Sequence, residues 1–423
     1  MNDTLALEQT LPRGTAKTRP GLYQRLILDI FAKMKEGHLR LELPDGSTLQ
    51  YGVPGHDLSA HIRITNPRFF QRCVLFGDVG FGEAYVDGDW ETDDVSRVIS
   101  WAILNIENSP AMSGSTRRTM ALNLLQFYNR LLHLLRPNSL DIARQNIAEH
   151  YDLGNDFYRL WLDPTMTYSA AKFASEDQSL ESAQIAKYDA LCRRLRLSAD
   201  DHLLEIGSGW GGMACYAAKT YGCRVTTITI SQRQYEYSRE RIESEGLADR
   251  VEIRLQDYRE ITGQFDKVVS IEMMEAIGDR YLETYFKKIN EVTKRDALIA
   301  LQFITVPDSR HTELRRGIDW IQKHIFPGSL LLSIGQVNRA VNRTSSLSLV
   351  ELEDLGHDYA RTLRAWFTDF NAKLDEIRAQ GFGDRFIRKW NYYLQYCEAA
   401  FAMRNISVVH AVYSRPNNPR LRA

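Results

Sequence analysis

The stretch Leu203-Leu204-Glu205-Ile206-Gly207-Ser208-Gly209-Trp210-Gly211-Gly212 decides the fold. Its first four residues set apolar side chains around one acid, as a buried strand does, and the next six positions hold four glycines. Such a run predicts a strand that turns sharply into a helix, with no Cβ to keep a ligand off the backbone. The helix start presents unpaired N–H groups that suit a carboxylate or a phosphate. A glycine-rich turn does not choose its own ligand: a dinucleotide site reads similarly, and some such runs are only tight turns. The surrounding sequence has to choose.

Outward from the turn, strands and helices alternate. Ser179–Leu195 reads as a helix with Ser179 as its N-cap and Glu181 close behind. Strand His202–Ile206, helix Gly211–Tyr221, strand Arg224–Ile230, helix Gln232–Glu245 and strands Val251–Gln256 and Lys267–Glu272 follow. Helix Arg280–Lys294 and strand Ala297–Ile304 complete the run. Repeated β-α units of this length predict an α/β fold: a mostly parallel sheet with helices on both faces and ligands beyond the C-terminal strand ends. Late strands at Leu349–Glu353 and Val408–Tyr413 bring the sheet to seven. Between them lies an aromatic insertion, Tyr359–Phe401, with Trp366, Phe367, Phe370, Phe382, Phe386, Trp390, Tyr392, Tyr393 and Tyr396.

Upstream, residues 21–107 read as a small mixed α/β domain. Leu22–Lys35 has apolar residues at helical spacing and reads as a core-facing helix. Leu39–Leu43, the turn Pro44-Asp45-Gly46-Ser47 and Thr48–Tyr51 read as a hairpin, with a third extended piece at His61–Ile64. Residues 1–20 read as a disordered leader. Residues 108–140 read as a linker followed by the apolar helix Met120–Leu135, buried between domains or seated against lipid. Residues 141–423 carry the alternating pattern.

At 423 residues, 44% hydrophobic and 25% charged, the chain has the composition of a soluble globular protein of two or three domains. A net charge of -1 gives no global attraction to nucleic acid or anionic lipid. No Lys/Arg stripe and no Asn-Pro-Pro-Tyr-like tetrapeptide points to nucleic acid. The longest apolar runs fall short of a membrane span, and the first 20 residues lack an apolar signal core. Five scattered cysteines without a CxxC pair read as reduced thiols in a cytosol, and no metal site is expected.

A nicotinamide or flavin site would place an acid at the end of the second strand, whereas this chain has Thr229-Ile230-Ser231 followed by Gln234. The turn Glu205–Gly209 instead resembles the first motif of class I S-adenosylmethionine-dependent methyltransferases, whose sheet is Rossmann-like. Gln256-Asp257 matches their adenine-contacting position. Seven stretches together resemble the cyclopropane-fatty-acid synthase and mycolic acid methyltransferase family. They are Glu149–Phe157, Leu162–Ser169, the glycine turn, Thr229–Gln234, Leu255–Arg259, Glu275–Gly278 and Trp320–Gly328, in the family's order.

The resemblance implies methylation of a cis double bond in an acyl chain of a membrane phospholipid, through a carbocation that loses a proton to close a cyclopropane ring. It implies that Tyr151, Tyr168, Ser169, Glu205, Gly207, Gly209, Thr229, Gln234, Gln256, Asp257 and Tyr258 line the S-adenosylmethionine pocket. It implies that Glu275 and Tyr359 hold a bicarbonate ion that serves as base, with a backbone contact at Ile304. It further implies a homodimer in the cytoplasm, docked peripherally on the inner face of the membrane by the small N-terminal domain. The aromatic insertion would supply a tunnel wall and cation-facing rings, or plain core.

Two positions depart from the family's pattern: Ala170 where a Cys is usual, and Gln302 where a His is usual. Both belong to the bicarbonate pocket. Ala170 has no thiol, and Gln302 donates through its amide but cannot titrate. Bicarbonate binding is therefore put in doubt, and with it ring closure. The alternatives are a methyl- or methylene-branched product, as in 10-methyl or furan fatty acid pathways, and a lipid-binding relative that has lost its chemistry.

Overall fold

In the computed structural model, which describes residues 21–108, 153–316 and 319–421, the chain first builds a four-stranded mixed sheet and three helices. Helix α1 (Leu22–Phe31) precedes strands β1 (His38–Glu42), β2 (Thr48–Gly52) and β3 (Ser59–Ile64). Helix α2 (Arg68–Val86), strand β4 (Trp90–Glu91) and helix α3 (Val95–Leu104) follow, and the strand order is β2-β1-β3-β4. The hairpin forms as the turn chemistry predicts: Asp45 accepts from the Ser47 N–H at 3.0 Å, and Gly46 takes a φ of +80°. Helix α1 stops at Phe31 instead of Lys35: the chain tightens into i→i−3 bonds, Lys33 N–H to the Ile30 carbonyl and Met34 N–H to the Phe31 carbonyl, before Gly37, at φ +68°, leads into β1. Its Ile27 is buried, but Leu22 and Leu26 are 61% and 39% exposed, so the helix faces the core along only part of its apolar stripe. Helix α2 runs through residues 68–86 with a kink at Gly77 (φ 58°, ψ -134°). The leader 1–20, the segment 109–140, where an apolar helix is expected at Met120–Leu135, and Glu149–Asp152 lie outside the described residues.

The second sheet has seven strands. These are β5 (His202–Ile206), β6 (Arg224–Thr229), β7 (Val251–Leu255), β8 (Phe265–Ile271), β9 (Thr293–Thr305), β10 (Ser348–Asp354) and β11 (Ser407–Ser414). Their order is β10-β11-β9-β8-β5-β6-β7, parallel from β9 to β7, with β11 antiparallel to both its neighbours. The chain runs outward from β5 in both directions, so the switch point lies between β5 and β8. Helices α4 (Leu180–Arg194), α5 (Gly212–Tyr221), α6 (Gln232–Ser244), α7 (Leu282–Val292) and α8 (Ile334–Thr344) accompany these strands. Alternation along the strands divides the apolar side chains between two cores. Leu203, Val225, Val269 and Leu298 pack under α4 and α5, while Leu204, Ile228, Val268 and Ile299 pack under α7 and α8. Among the described residues no helix is long and apolar enough to cross a membrane.

The aromatic insertion consists of helix α9 (Gly356–Ala372), a short turn of helix at Leu374–Ala379, and helix α10 (Asp384–Ala402). Much of it is core shared with the N-terminal sheet. Gln395 Oε1 caps α3 by accepting from the Val95 N–H at 2.9 Å, and Arg388 donates to the carbonyls of Tyr85 (2.7 Å) and Trp90 (3.1 Å). Gly82 admits Trp320 and Tyr392 so closely that a Cβ there would lie 2.5 Å from Trp320 Cδ1. Phe370, Phe382, Phe386 and Trp390 surround Phe157, with ring centroids 5.0 to 6.3 Å away. Tyr359 and Tyr393, on the other side of the insertion, carry hydrogen bonds to the site described next.

Candidate active site

At the carboxyl end of β5 the Gly207 and Ser208 N–H groups both donate to the Ile228 carbonyl of β6, at 3.1 and 2.9 Å, which fixes the turn to the sheet. Gly207 takes a φ of +97°, and a Cβ there would meet Met273 Cγ at 3.1 Å. Trp210 is buried, and its Nε1–H donates to Asn155 Oδ1 at 2.9 Å, tying the short helix Asn155–Arg159 to the turn. The turn forms one wall of a cleft of about 190 Å³ at the switch point. Tyr168, Ser169, Glu205, Gly207, Gly209, Thr229, Gln234, Gln256, Asp257 and Tyr258 all line it, so ten of the eleven residues expected around a cofactor meet in one place. The eleventh, Tyr151, lies outside the described residues.

The cleft wall is acidic. Glu205, Asp257 and Glu272 line it together with one base, Arg259, whose Nε and Nη2 each donate to the Asp257 carboxylate at 2.8 Å. That balance suits a cationic or neutral ligand over a phosphate. Burial pushes Glu205 up to about 8, although Thr227 donates to it and Lys187 lies close by. Lys187, fully buried on α4, donates to Ser169 Oγ at 2.7 Å, and Gln184 Nε2, also on α4, donates to the Ser169 carbonyl at 2.9 Å. Burial pulls Lys187 down to about 7 against the attraction of Glu272, Asp163 and Glu205.

A second carboxylate centre adjoins the turn. The Ala170 N–H (2.8 Å) and Gln302 Nε2–H (2.7 Å) donate to Glu272 Oε1, and the Tyr359 hydroxyl donates to Oε2 at 2.7 Å. Gln302 Oε1 in turn accepts from His410 Nε2 at 2.8 Å, and Arg194 Nη1 donates to His410 Nδ1 at 3.1 Å. Arg194 is held from β10 by Glu351 at 2.7 Å and Glu353 at 2.5 Å. His410 is wholly buried and its pKa lies well below the ordinary imidazole value because of that burial and the nearby cations. Glu275 lies apart from this network: its Oε1 accepts from the Ile304 N–H at 2.6 Å, while its buried Oε2 has no hydrogen-bond partner among the described residues. Burial first, and the Glu272 carboxylate second, push Glu275 up to about 8. Tyr168, whose hydroxyl lies 2.8 Å from that of Tyr393, closes the wall between the turn and the aromatic helices.

The five residues expected to act on the substrate therefore separate into two sets. Ala170, Gln302 and Tyr359 converge on Glu272, and Ile304 converges on Glu275. The groups fit S-adenosylmethionine: glycines leave a cradle that a Cβ on Gly207 would fill, and three acidic residues against one base line a cleft suited to a sulfonium. They do not fit bicarbonate, because each donor expected to hold that anion already serves a carboxylate of the chain. Sequence reasoning passed over Glu272, Lys187 and His410. An acid directly after the buried strand Phe265–Ile271 was the available signal for Glu272; Lys187 and His410 carry none.

The family description "Mycolic acid cyclopropane synthetase" matches residues 138–411 of the chain. The tuberculostearic acid methyltransferase of Mycobacterium tuberculosis is 36% identical over 367 residues, covering 82% of each chain. The cyclopropane-fatty-acyl-phospholipid synthase of Escherichia coli is 38% identical over 359 residues, 84% of this chain and 88% of that one. Among solved structures, the cyclopropane synthase MmaA2 from Mycobacterium tuberculosis superposes with a TM-score of 0.60 at 28% identity, over 64% of this chain and 98% of that one. The mycolic acid cyclopropane synthase CmaA1, complexed with SAH and CTAB, gives the same values.

Proposed function

The chain belongs to the mycolic acid cyclopropane synthetase family, and from that premise we propose that it methylates a double bond of an unsaturated acyl chain on a membrane phospholipid. S-adenosylmethionine-dependent methylation of lipid acyl chains is the activity of such an enzyme; the phospholipid carrier and the cationic course of the reaction are our own reading. The observation that carries it is the meeting of the glycine turn, the acids Glu205, Asp257 and Glu272 and the ring of Tyr168, whose hydroxyl pairs with that of Tyr393, in one cleft.

When bound, S-adenosylmethionine supplies an electrophilic methyl group on a cationic sulfur. On this reading Thr229, Gln234, Gln256 and Asp257 hold the nucleoside portion through their amide, hydroxyl and carboxylate groups. Gly207 and Gly209 let the backbone approach the rest of the molecule. Ser169, fixed by Lys187 and Gln184, positions the loop that carries Tyr168. The ring of Tyr168 lines the cleft, and Tyr359 and Tyr393 stand behind it as further aromatic groups that exclude water and favour positive charge on the acyl chain. None of these rings is a strong nucleophile at neutral pH, which spares the cation from capture. The N-terminal domain, with Leu22, Tyr23 and Leu26 exposed on α1, supports contact with a lipid surface.

The test is mass spectrometry of phospholipids carrying cis-monounsaturated chains after incubation with methyl-deuterated S-adenosylmethionine. A one-carbon increment on the acyl chain is expected. Two retained deuteriums on a saturated chain identify ring closure, and three on a chain that keeps its unsaturation identify branching. No labelled acyl chain from any such lipid would refute the reading.

A further inference from the structure

We propose that Glu272 is the base of this reaction: a carboxylate of the chain itself occupies the place where the sequence resemblance puts a bicarbonate ion. The inference rests on the acyl-methylation reading above and adds to it the group that accepts the proton.

Three donors from three separate elements converge on Glu272: the Ala170 N–H from the loop after Tyr168, the Gln302 amide from β9 and the Tyr359 hydroxyl from α9. An arrangement of donors with no acceptor among them is an anion site, and here its anion is covalently part of the fold. A free bicarbonate would have to displace the Glu272 carboxylate while being repelled by it. The backbone has yielded to put the carboxylate there. Glu272 takes a φ of +47°, a left-handed conformation that L side chains avoid, and its N–H is pinned to the Gln302 carbonyl at 2.7 Å. The same side chain lines the cleft beside Gly207 and Met273, within the space where the methyl group is delivered on the proposed reading.

The step balances without any co-reactant beyond the methyl donor. Methyl transfer leaves the acyl chain with a positive charge on the carbon next to the newly methylated one. A C–H bond of that chain then breaks. Its electron pair forms the third C–C bond of a ring if the hydrogen comes from the new methyl, or a C=C bond if it comes from the chain. The proton goes to a Glu272 oxygen, so cation and carboxylate become a neutral product and a neutral acid, and the proton then passes to solvent. Burial raises the Glu272 pKa above the ordinary carboxylate value, and its three donors and Lys187 work against that rise. Of the two neighbouring acids, Glu272 has three donors and Glu275 one, so the negative charge is better held on Glu272.

The experiment uses the full chain, vesicles of cis-monounsaturated phospholipid and labelled S-adenosylmethionine, in buffer stripped of carbon dioxide and in buffer with added bicarbonate. Wild-type kcat is expected to agree within about twofold between the two buffers. Glu272→Gln is expected to lower kcat about 10²- to 10⁴-fold, the usual weight of a general base, while S-adenosylhomocysteine binding stays within about threefold. Glu272→Gly suits the φ at this position and frees the three donors, so its low turnover should rise at least about tenfold, and saturably, with bicarbonate. The proposal is overturned if wild-type turnover depends on bicarbonate, or if Glu272→Gln keeps more than about a tenth of its kcat. It is also overturned if Glu272→Gly binds the homocysteine analogue normally yet is not rescued. Should Glu272→Gly not fold, the first two outcomes decide. Absence of any labelled acyl chain from the wild type is a different failure, that of the acyl-methylation reading itself.

Discussion

Gln302→Leu tests the carboxylate network through a side chain that occupies similar space but carries no polar atom. Gln302 is 1% exposed and makes three hydrogen bonds: its amide N–H donates to Glu272 at 2.7 Å and to the Ala170 carbonyl at 3.2 Å, and its carbonyl accepts from His410 at 2.8 Å. A bond to a charged group is worth about 1.5–3 kcal/mol, and a buried donor or acceptor left alone costs about 1–3 kcal/mol. One bond to a charged group and two partners left alone, His410 Nε2–H and the Ala170 carbonyl, total about 3.5–9 kcal/mol. Burying the leucine returns about 1.5–3 kcal/mol, leaving a net destabilisation of about 4 kcal/mol, a large share of the ~5–15 kcal/mol typical of a folded protein. At about 2 °C per kcal/mol for a chain of this size, Tm should fall by about 8 °C by calorimetry. The kinetic effect has a definite sign. Glu272 loses one of three donors that favour its ionised form, so its pKa rises, and the acid limb of the kcat profile should move to higher pH. A Tm loss below about 1 °C together with an unmoved profile would refute both the network and the role built on it.

Other substitutions probe separate parts of the molecule. Gly82→Ala places a Cβ 2.5 Å from Trp320 and 2.8 Å from Tyr392; overpacking two rigid rings should cost about 1–3 kcal/mol in denaturant unfolding, with cofactor affinity unchanged in titration calorimetry. Gly212→Ala brings a Cβ within 2.5 Å of Tyr188 Oη, a residue of the cleft wall, and should weaken S-adenosylhomocysteine binding about tenfold; equal affinity would show that Tyr188 yields freely. Glu275 is raised from 4.5 to about 8 in the fold, so the stability it contributes is complete below about pH 4.5 and is lost as pH rises toward 8. Glu275→Gln removes that loss, and its Tm advantage over wild type should grow from pH 5 to pH 8. Lys187, lowered from 10.5 to about 7, penalises the fold most below pH 7 and progressively less toward 10.5; Lys187→Met should therefore compare best with wild type near pH 6 and lose ground by pH 9.

The parts of the site that are local in sequence are legible from the residues alone. Strand β5, its glycine turn and the residues after β6 and β7 each lie within a few positions of a recognisable motif, and the parallel sheet brings those motifs to one edge. Glu272 is not legible in the same way, because its meaning comes from contacts with Ala170 and Gln302, 102 and 30 residues away. In the sequence it is one of two acids near the end of β8, and Glu275 carries the stronger resemblance. Lys187 sits on a helix where a lysine ordinarily reads as solvated surface, and only the packing of α4 against the loop at Ser169 buries it. The aromatic insertion reads as tunnel or core because the choice depends on which side faces the N-terminal sheet. The structure gives both answers, residue by residue: Tyr392 packs on Trp320, and Tyr359 bonds to Glu272.

Between Arg194 and Glu272 every hydrogen bond points the same way. The guanidinium can only donate, so His410 Nδ1 accepts, the imidazole proton is confined to Nε2, and the Gln302 amide is oriented with its N–H toward the carboxylate. Aligned in series, these dipoles reinforce one another, with a fixed cation at one end and the Glu272 charge at the other. The row works as a polarised conduit through the sheet, setting one histidine tautomer and one amide rotamer without either group exchanging a proton. Glu351 and Glu353, which anchor its outer end, thereby share in setting the electrostatic potential of a cleft whose walls they do not form.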